Sequence, residues 1–126
     1  MGPFNGVGVI FALGAAALHV VIFYLESFAW TSDGALKAFN MTREEAENTQ
    51  EMAFNQGFYN LLLAIEVFVG VFLMATRNPA GKPLITFAVF SMFCAAVLLY
   101  ITSPNKRSAA IKQAAFPLMA LCNLIL

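Results

Sequence analysis

Charge is scarce in this chain. Only 11% of its 126 residues are Asp, Glu, Lys or Arg, less than half the roughly 25% of an ordinary soluble domain. Neither sign is in excess, since seven Lys and Arg balance seven Asp and Glu. Without a basic field the chain is no nucleic-acid partner. Cysteine is sparse too. Cys94 and Cys122 both lie in apolar runs; they supply neither a disulfide framework nor a structural zinc site and read as buried small hydrophobes. With a single histidine, His19, the chain offers one imidazole axial ligand at most and no bis-histidine haem site. No Lys or Arg precedes Lys37, so the basic flank of a signal peptide is missing and the first apolar run is expected to be retained. Gly6 stands where a myristoylation signal beginning Met1-Gly2 needs Ser or Thr. What is plentiful is apolar surface: 60% of residues are hydrophobic, thirteen of them Phe. That excludes a disordered tail. A unit this small cannot hide so much from water, but a bilayer can.

Four apolar stretches approach the ~20 residues that cross a ~30 Å hydrocarbon core. They fall at about residues 7–26, 55–75, 84–102 and 108–126. Backbone amides in lipid must pair within their own segment, so these are helices. The links 77–83 and 103–107 are tight turns, and short links force antiparallel neighbours. The expected fold is therefore all-α, a polytopic membrane protein built as one antiparallel four-helix transmembrane bundle over 1–126. The link 27–54 is longer and carries most of the acid. Its Thr42-Arg43-Glu44-Glu45 matches a capping box, which predicts a helix starting near residue 43 and running on into the second span. Asp33 is placed to cap a short turn over 35–39. Asn40-Met41-Thr42 is also a glycosylation sequon, but capping is the preferred role for Thr42. Five basic residues (Lys37, Arg43, Lys106, Arg107, Lys112) lie on the long-link side and two (Arg77, Lys82) on the other. The basic excess puts the long link in the cytoplasm and both termini outside.

Threading the spans antiparallel collects the polar side chains in one leaflet. His19, Tyr24, Glu26 and Trp30 approach the long-link side on span one. Asn55, Gln56, Tyr59 and Asn60 leave it on span two, Tyr100 and Thr102 arrive on span three, and Lys112 and Gln113 depart on span four. The opposite leaflet is nearly all apolar. His19, Phe23, Glu26 and Trp30 recur at helical steps and share a face. Gln56 and Asn60 share a stripe with Ala53, Gly57 and Ala64, small residues that suit close packing against span one. Pro117 removes an amide and frees the carbonyl of Gln113. Ionisable groups in a bilayer are costly and usually face a bundle interior or a wet cavity. The expectation is a polar pocket, open toward the long link and closed at the other end. Each residue also has a plain structural account: His, Asn and Gln as interhelical glue, Trp30 in the aromatic belt, Glu66 protonated or paired with His19.

The pattern His-x4-Tyr-Leu-Glu-x-Phe-x-Trp at 19–30, followed by Asn-Gln-Gly-x-Tyr-Asn at 55–60, resembles the small integral-membrane family known as domain of unknown function thirteen-oh-four. Weaker similarity extends through Tyr100 to Gln113 and Pro117. The resemblance implies a four-helix membrane protein of about this length and no particular activity. Its motif picks out His19, Tyr24, Glu26, Trp30, Asn55, Gln56, Tyr59 and Asn60. Glu66 stands outside it.

Three functions fit. In an enzyme, His19 and Glu26 are the catalytic pair. They lie about 10 Å apart along the axis and flank a lipophilic substrate in a proton-transfer isomerisation. Tyr24, Trp30, Asn55, Gln56, Tyr59, Asn60 and Gln113 then bind that substrate. No nucleophile elbow, phosphate loop or metal set is present, and no cofactor is indicated. In a binding module the same pocket holds a small amphipathic or lipophilic ligand without chemistry. In an accessory subunit the Phe-rich faces meet other membrane proteins.

Overall fold

A segment that gives up water must satisfy its own amides, and each apolar run does so as a helix. The computed structural model describes residues 6–126; the Met1-Gly2 dipeptide lies outside the described residues. The helices are α1 (Gly6–Phe28), α2 (Asp33–Ala38), α3 (Arg43–Asn48), α4 (Gln50–Ala75), α5 (Gly81–Thr102) and α6 (Arg107–Ile125). A 3-10 turn, Pro104–Lys106, leads into α6. Helices α1, α4, α5 and the Pro104–Ile125 unit are long and apolar enough to cross a membrane. The protein is an all-α polytopic membrane protein, an antiparallel four-helix bundle. α1 and α5 lie diagonally opposite, and each packs on both α4 and α6.

The interior is made of small side chains. Ala12, Ala15 and Ala16 of α1, Ala64 of α4, Ala88 of α5 and Ala120 of α6 are fully buried, interleaved with Val67, Ile85, Val89 and Met92. Phe72, Phe87, Leu98 and Ile101 point outward. This inversion suits lipid, where association rests on close packing rather than on hiding apolar surface. Two glycines mark the closest approaches. A Cβ on Gly57 would stand 3.0 Å from the Phe23 carbonyl of α1, and one on Gly81 would stand 2.8 Å from the Gly70 carbonyl of α4. Cys94 and Cys122, expected to be buried, are exposed instead. An outward position is apolar here, so a thiol has no need of the core.

The long link folds onto the end of the bundle. Ser32, not Asp33, caps α2, accepting from the Ala35 amide at 3.2 Å. Thr42 caps α3 as the sequence indicates, accepting from the Glu45 amide at 3.1 Å. Glu45 reaches back only to the Thr42 hydroxyl, at 3.3 Å. The helix does not run unbroken into the second span. Thr49 leaves helical geometry at φ −118°, ψ 14°, and its hydroxyl donates to the Glu45 carbonyl at 2.7 Å while accepting from Trp30 Nε1 at 2.9 Å. That tie to the turn just past α1 holds the break. Trp30 also packs on Phe39, ring centroids 5.0 Å apart, and Phe39 joins Ile22 and Ala109 in a second small core. Asn40, with a left-handed φ of 51°, donates to the Asn105 carbonyl at 2.8 Å. The link is thereby fastened to both α1 and the α5–α6 turn.

Candidate functional site

The Gly57 approach brings α1 and α4 close enough for side chains one turn on to bond across the gap. Glu26, only 6% exposed, accepts from Asn60 Nδ2 at 2.5 Å. Beside this pair is a cavity of about 380 Å3 whose walls include Glu26, Trp30, Gln56, Asn60 and Gln113. That volume lies at the small end of ligand sites. Asn60 thus faces α1, as the small-residue stripe implies, while Gln56 is exposed and borders the cavity at its rim. Gln113 is the residue whose carbonyl loses its helical donor to Pro117. The rest of the wall comes from the folded link (Phe39, Met41, Glu45, Thr49), from Met52 of α4, and from Ala95, Leu98, Leu99 and Thr102 of α5, closed by Ser103 and Lys106. A second space of about 260 Å3 shares Glu26 and Trp30 and is completed by residues such as Gln50, Glu51 and Phe54.

Five of the nine residues singled out from the sequence meet at this cavity; four do not. Tyr24 and Tyr59 are 58% and 65% exposed, and Asn55 is exposed as well. None of the three is in the wall. Helix geometry explains this. One residue is a turn of about 100°, so Asn55 and Tyr59 point away from the side shown by Gln56 and Asn60. His19 is 1% exposed, and its Nδ1 donates to the Ala15 carbonyl of its own helix at 2.8 Å. It is buried between helices rather than set in the cavity wall. The half-buried Glu66 makes no bond to it among the described residues. The wall residues absent from the sequence reading are chiefly Phe39, Met41, Thr49, Met52 and Lys106. The capping box located Glu45 on a helix, but nothing local showed that helix lying against the bundle.

The family model described as "Protein of unknown function (DUF1304)" matches residues 13–125. The chain belongs to this family. The match takes in α1 from residue 13 on, the other three spans and every wall residue of the cavity. The uncharacterized protein YpaA of Lactococcus lactis subsp. lactis (strain IL1403) is 27% identical over 115 residues, covering 90% of this chain and 92% of that protein. No solved structure matches.

Proposed function

We propose that this protein is a membrane-embedded binding protein that holds a small amphipathic ligand in the cavity beside Glu26. The observation that carries the reading is the buried Glu26 carboxyl, bonded by Asn60 and set in a cavity whose other polar groups include Gln56 and Gln113. Met52, Leu98 and Leu99 supply apolar wall. Such a mixture suits a ligand with one polar end. The isomerisation expected from the sequence relied on His19 as a second proton-transfer group facing Glu26. His19 is engaged with Ala15 and is not in the wall, which favours binding over chemistry. In the same reading the long link is cytoplasmic and the termini are outside, supported by the five-to-two split of basic residues.

The test is extraction. Protein purified in mild detergent is extracted with organic solvent and the extract analysed by mass spectrometry, alongside Asn60→Leu and Ala95→Trp. A small molecule stoichiometric with the wild type and depleted in both folded variants is the expected result. No bound molecule, or one retained equally by all three proteins, overturns the binding reading and favours the accessory-subunit role.

A further inference from the structure

The cavity wall divides by exposure. Glu26, Trp30, Asn60, Leu99 and Gln113 are buried or half-buried and form the floor. Met52 and Gln56 of α4 and Ala95, Leu98 and Thr102 of α5 are exposed. The first two are one helical step apart, and the last three recur at steps of three and four. They form the facing edges of two neighbouring antiparallel spans. Over the end of the bundle sit Phe39, Met41 and Thr49 of the folded link, with Glu45 exposed beside them. Most of the exposed wall therefore lies sideways between α4 and α5, toward lipid, while the link covers much of the long-link end where the sequence led one to expect the opening.

Among the described residues the charged side chains of the cavity wall, Glu26, Glu45 and Lys106, make no ion pair. Among the described residues the ion pair is Arg43–Asp33, within the link. Glu26 has no cationic partner: Asn60, which is neutral, bonds Oε1, and Oε2 accepts nothing from the described residues. A carboxyl buried without a counter-ion is costly in a bilayer, and an ammonium in the cavity would supply one. Trp30 on the same wall is the aromatic type that best attracts cations. Lys106 is half-buried at the mouth beside Ser103 and Thr102 and makes no ion pair among the described residues. Its neighbour Arg107 is otherwise engaged, donating from Nε to the Tyr100 carbonyl at 3.0 Å and lying 4.6 Å over that ring. A buried carboxyl within and an unpaired ammonium at the mouth complement a zwitterion with a cationic tip and an inner anion.

From this arrangement we infer that the cavity takes the phosphoethanolamine headgroup of a bilayer phospholipid, entering sideways between α4 and α5. The ammonium sits on Glu26 and the phosphate on Lys106, with the acyl chains leaving past Leu98. The N–H donors of a primary ammonium can bond Oε2 of Glu26, which a trimethylammonium cannot. The inference rests on the binding reading above and adds the chemistry and route of the occupant.

The test uses the full chain in mild detergent, offered equal amounts of phosphatidylethanolamine, phosphatidylcholine and phosphatidylglycerol with matched chains. Native mass spectrometry reads the bound lipid. Wild type is expected to retain phosphatidylethanolamine about tenfold over each of the others, the worth of one charge-assisted hydrogen bond. Glu26→Gln brings it level with phosphatidylcholine. Lys106→Ala, which lies in the first turn of the last span and keeps a readout available if the first variant misfolds, lowers retention of both zwitterions and leaves their ratio intact. Equal retention of the three lipids by wild type, or preference for phosphatidylglycerol, overturns the headgroup assignment. A preference unchanged in Glu26→Gln, or retention unchanged in Lys106→Ala, does the same. Those outcomes leave the binding reading standing wherever the extraction experiment finds a different ligand that depends on Asn60 and Ala95.

Discussion

Two turns of one helix separate His19 from Glu26, yet the two side chains meet different surroundings. Glu26 reaches across to α4, whereas His19 closes a bond on its own backbone. The geometry makes His19 a packing residue. His19→Ala is expected to cost about 2 kcal/mol of stability from the cavity it leaves, read as a lower Tm in detergent, with extracted ligand unchanged. Ligand loss at intact Tm would return His19 to the site. Trp30 does two jobs, donating to Thr49 and packing on Phe39. Trp30→Phe keeps an aromatic ring and deletes the donor. The expected loss is about 1 kcal/mol, with faster proteolytic cleavage within 31–49; an unchanged cleavage rate would mean that the link is held down by other contacts.

At the scale of elements, the α1–α4 seam governs the site. Gly57 permits the approach to Phe23, and the Glu26–Asn60 bond depends on it. Gly57→Val forces the helices apart, so stability is expected to fall by about 1–3 kcal/mol, and ligand content should fall with it. Ligand content equal to wild type in the folded variant would show that the cavity tolerates a looser seam. The far end of α4 carries a different device. Arg77 takes a left-handed φ of 61°, its amide bonding the Met74 carbonyl at 3.0 Å and that of Asn78 the Leu73 carbonyl at 2.8 Å. Glycine adopts that conformation without steric cost. Arg77→Gly should therefore raise stability by about 1 kcal/mol, visible as a higher Tm; a lower Tm would show that the arginine side chain contributes more than its backbone costs.

For the whole molecule, the arrangement across the bilayer is the property to measure. In a background of Cys94→Ser and Cys122→Ser, single cysteines at Asp33 and Asn78 can be probed in intact cells with an impermeant maleimide. Modification is expected at Asn78→Cys and not at Asp33→Cys. The reverse pattern inverts the arrangement and puts the roofed end of the cavity outside.

The sequence by itself determined the spans, their antiparallel order and the leaflet where polar groups gather. These follow from apolar averages over about 20 residues and from the shortness of two links, which position along the chain captures. It also located Glu26, Trp30, Gln56, Asn60 and Gln113 at a common depth. Depth is not direction. Whether Gln56 or Asn55 borders the cavity depends on the rotation of α4, set by Gly57 against Phe23, a contact between residues 34 apart in the chain. The same rotation took Tyr59 out of the cavity wall, while on α1 Tyr24 is exposed and His19 is buried against its own backbone. Thr49, Phe39 and Lys106 entered it because the link folds over the bundle through bonds such as Trp30–Thr49 and Asn40–Asn105. Pairings that join distant segments leave no local period, so only the tertiary structure decided them.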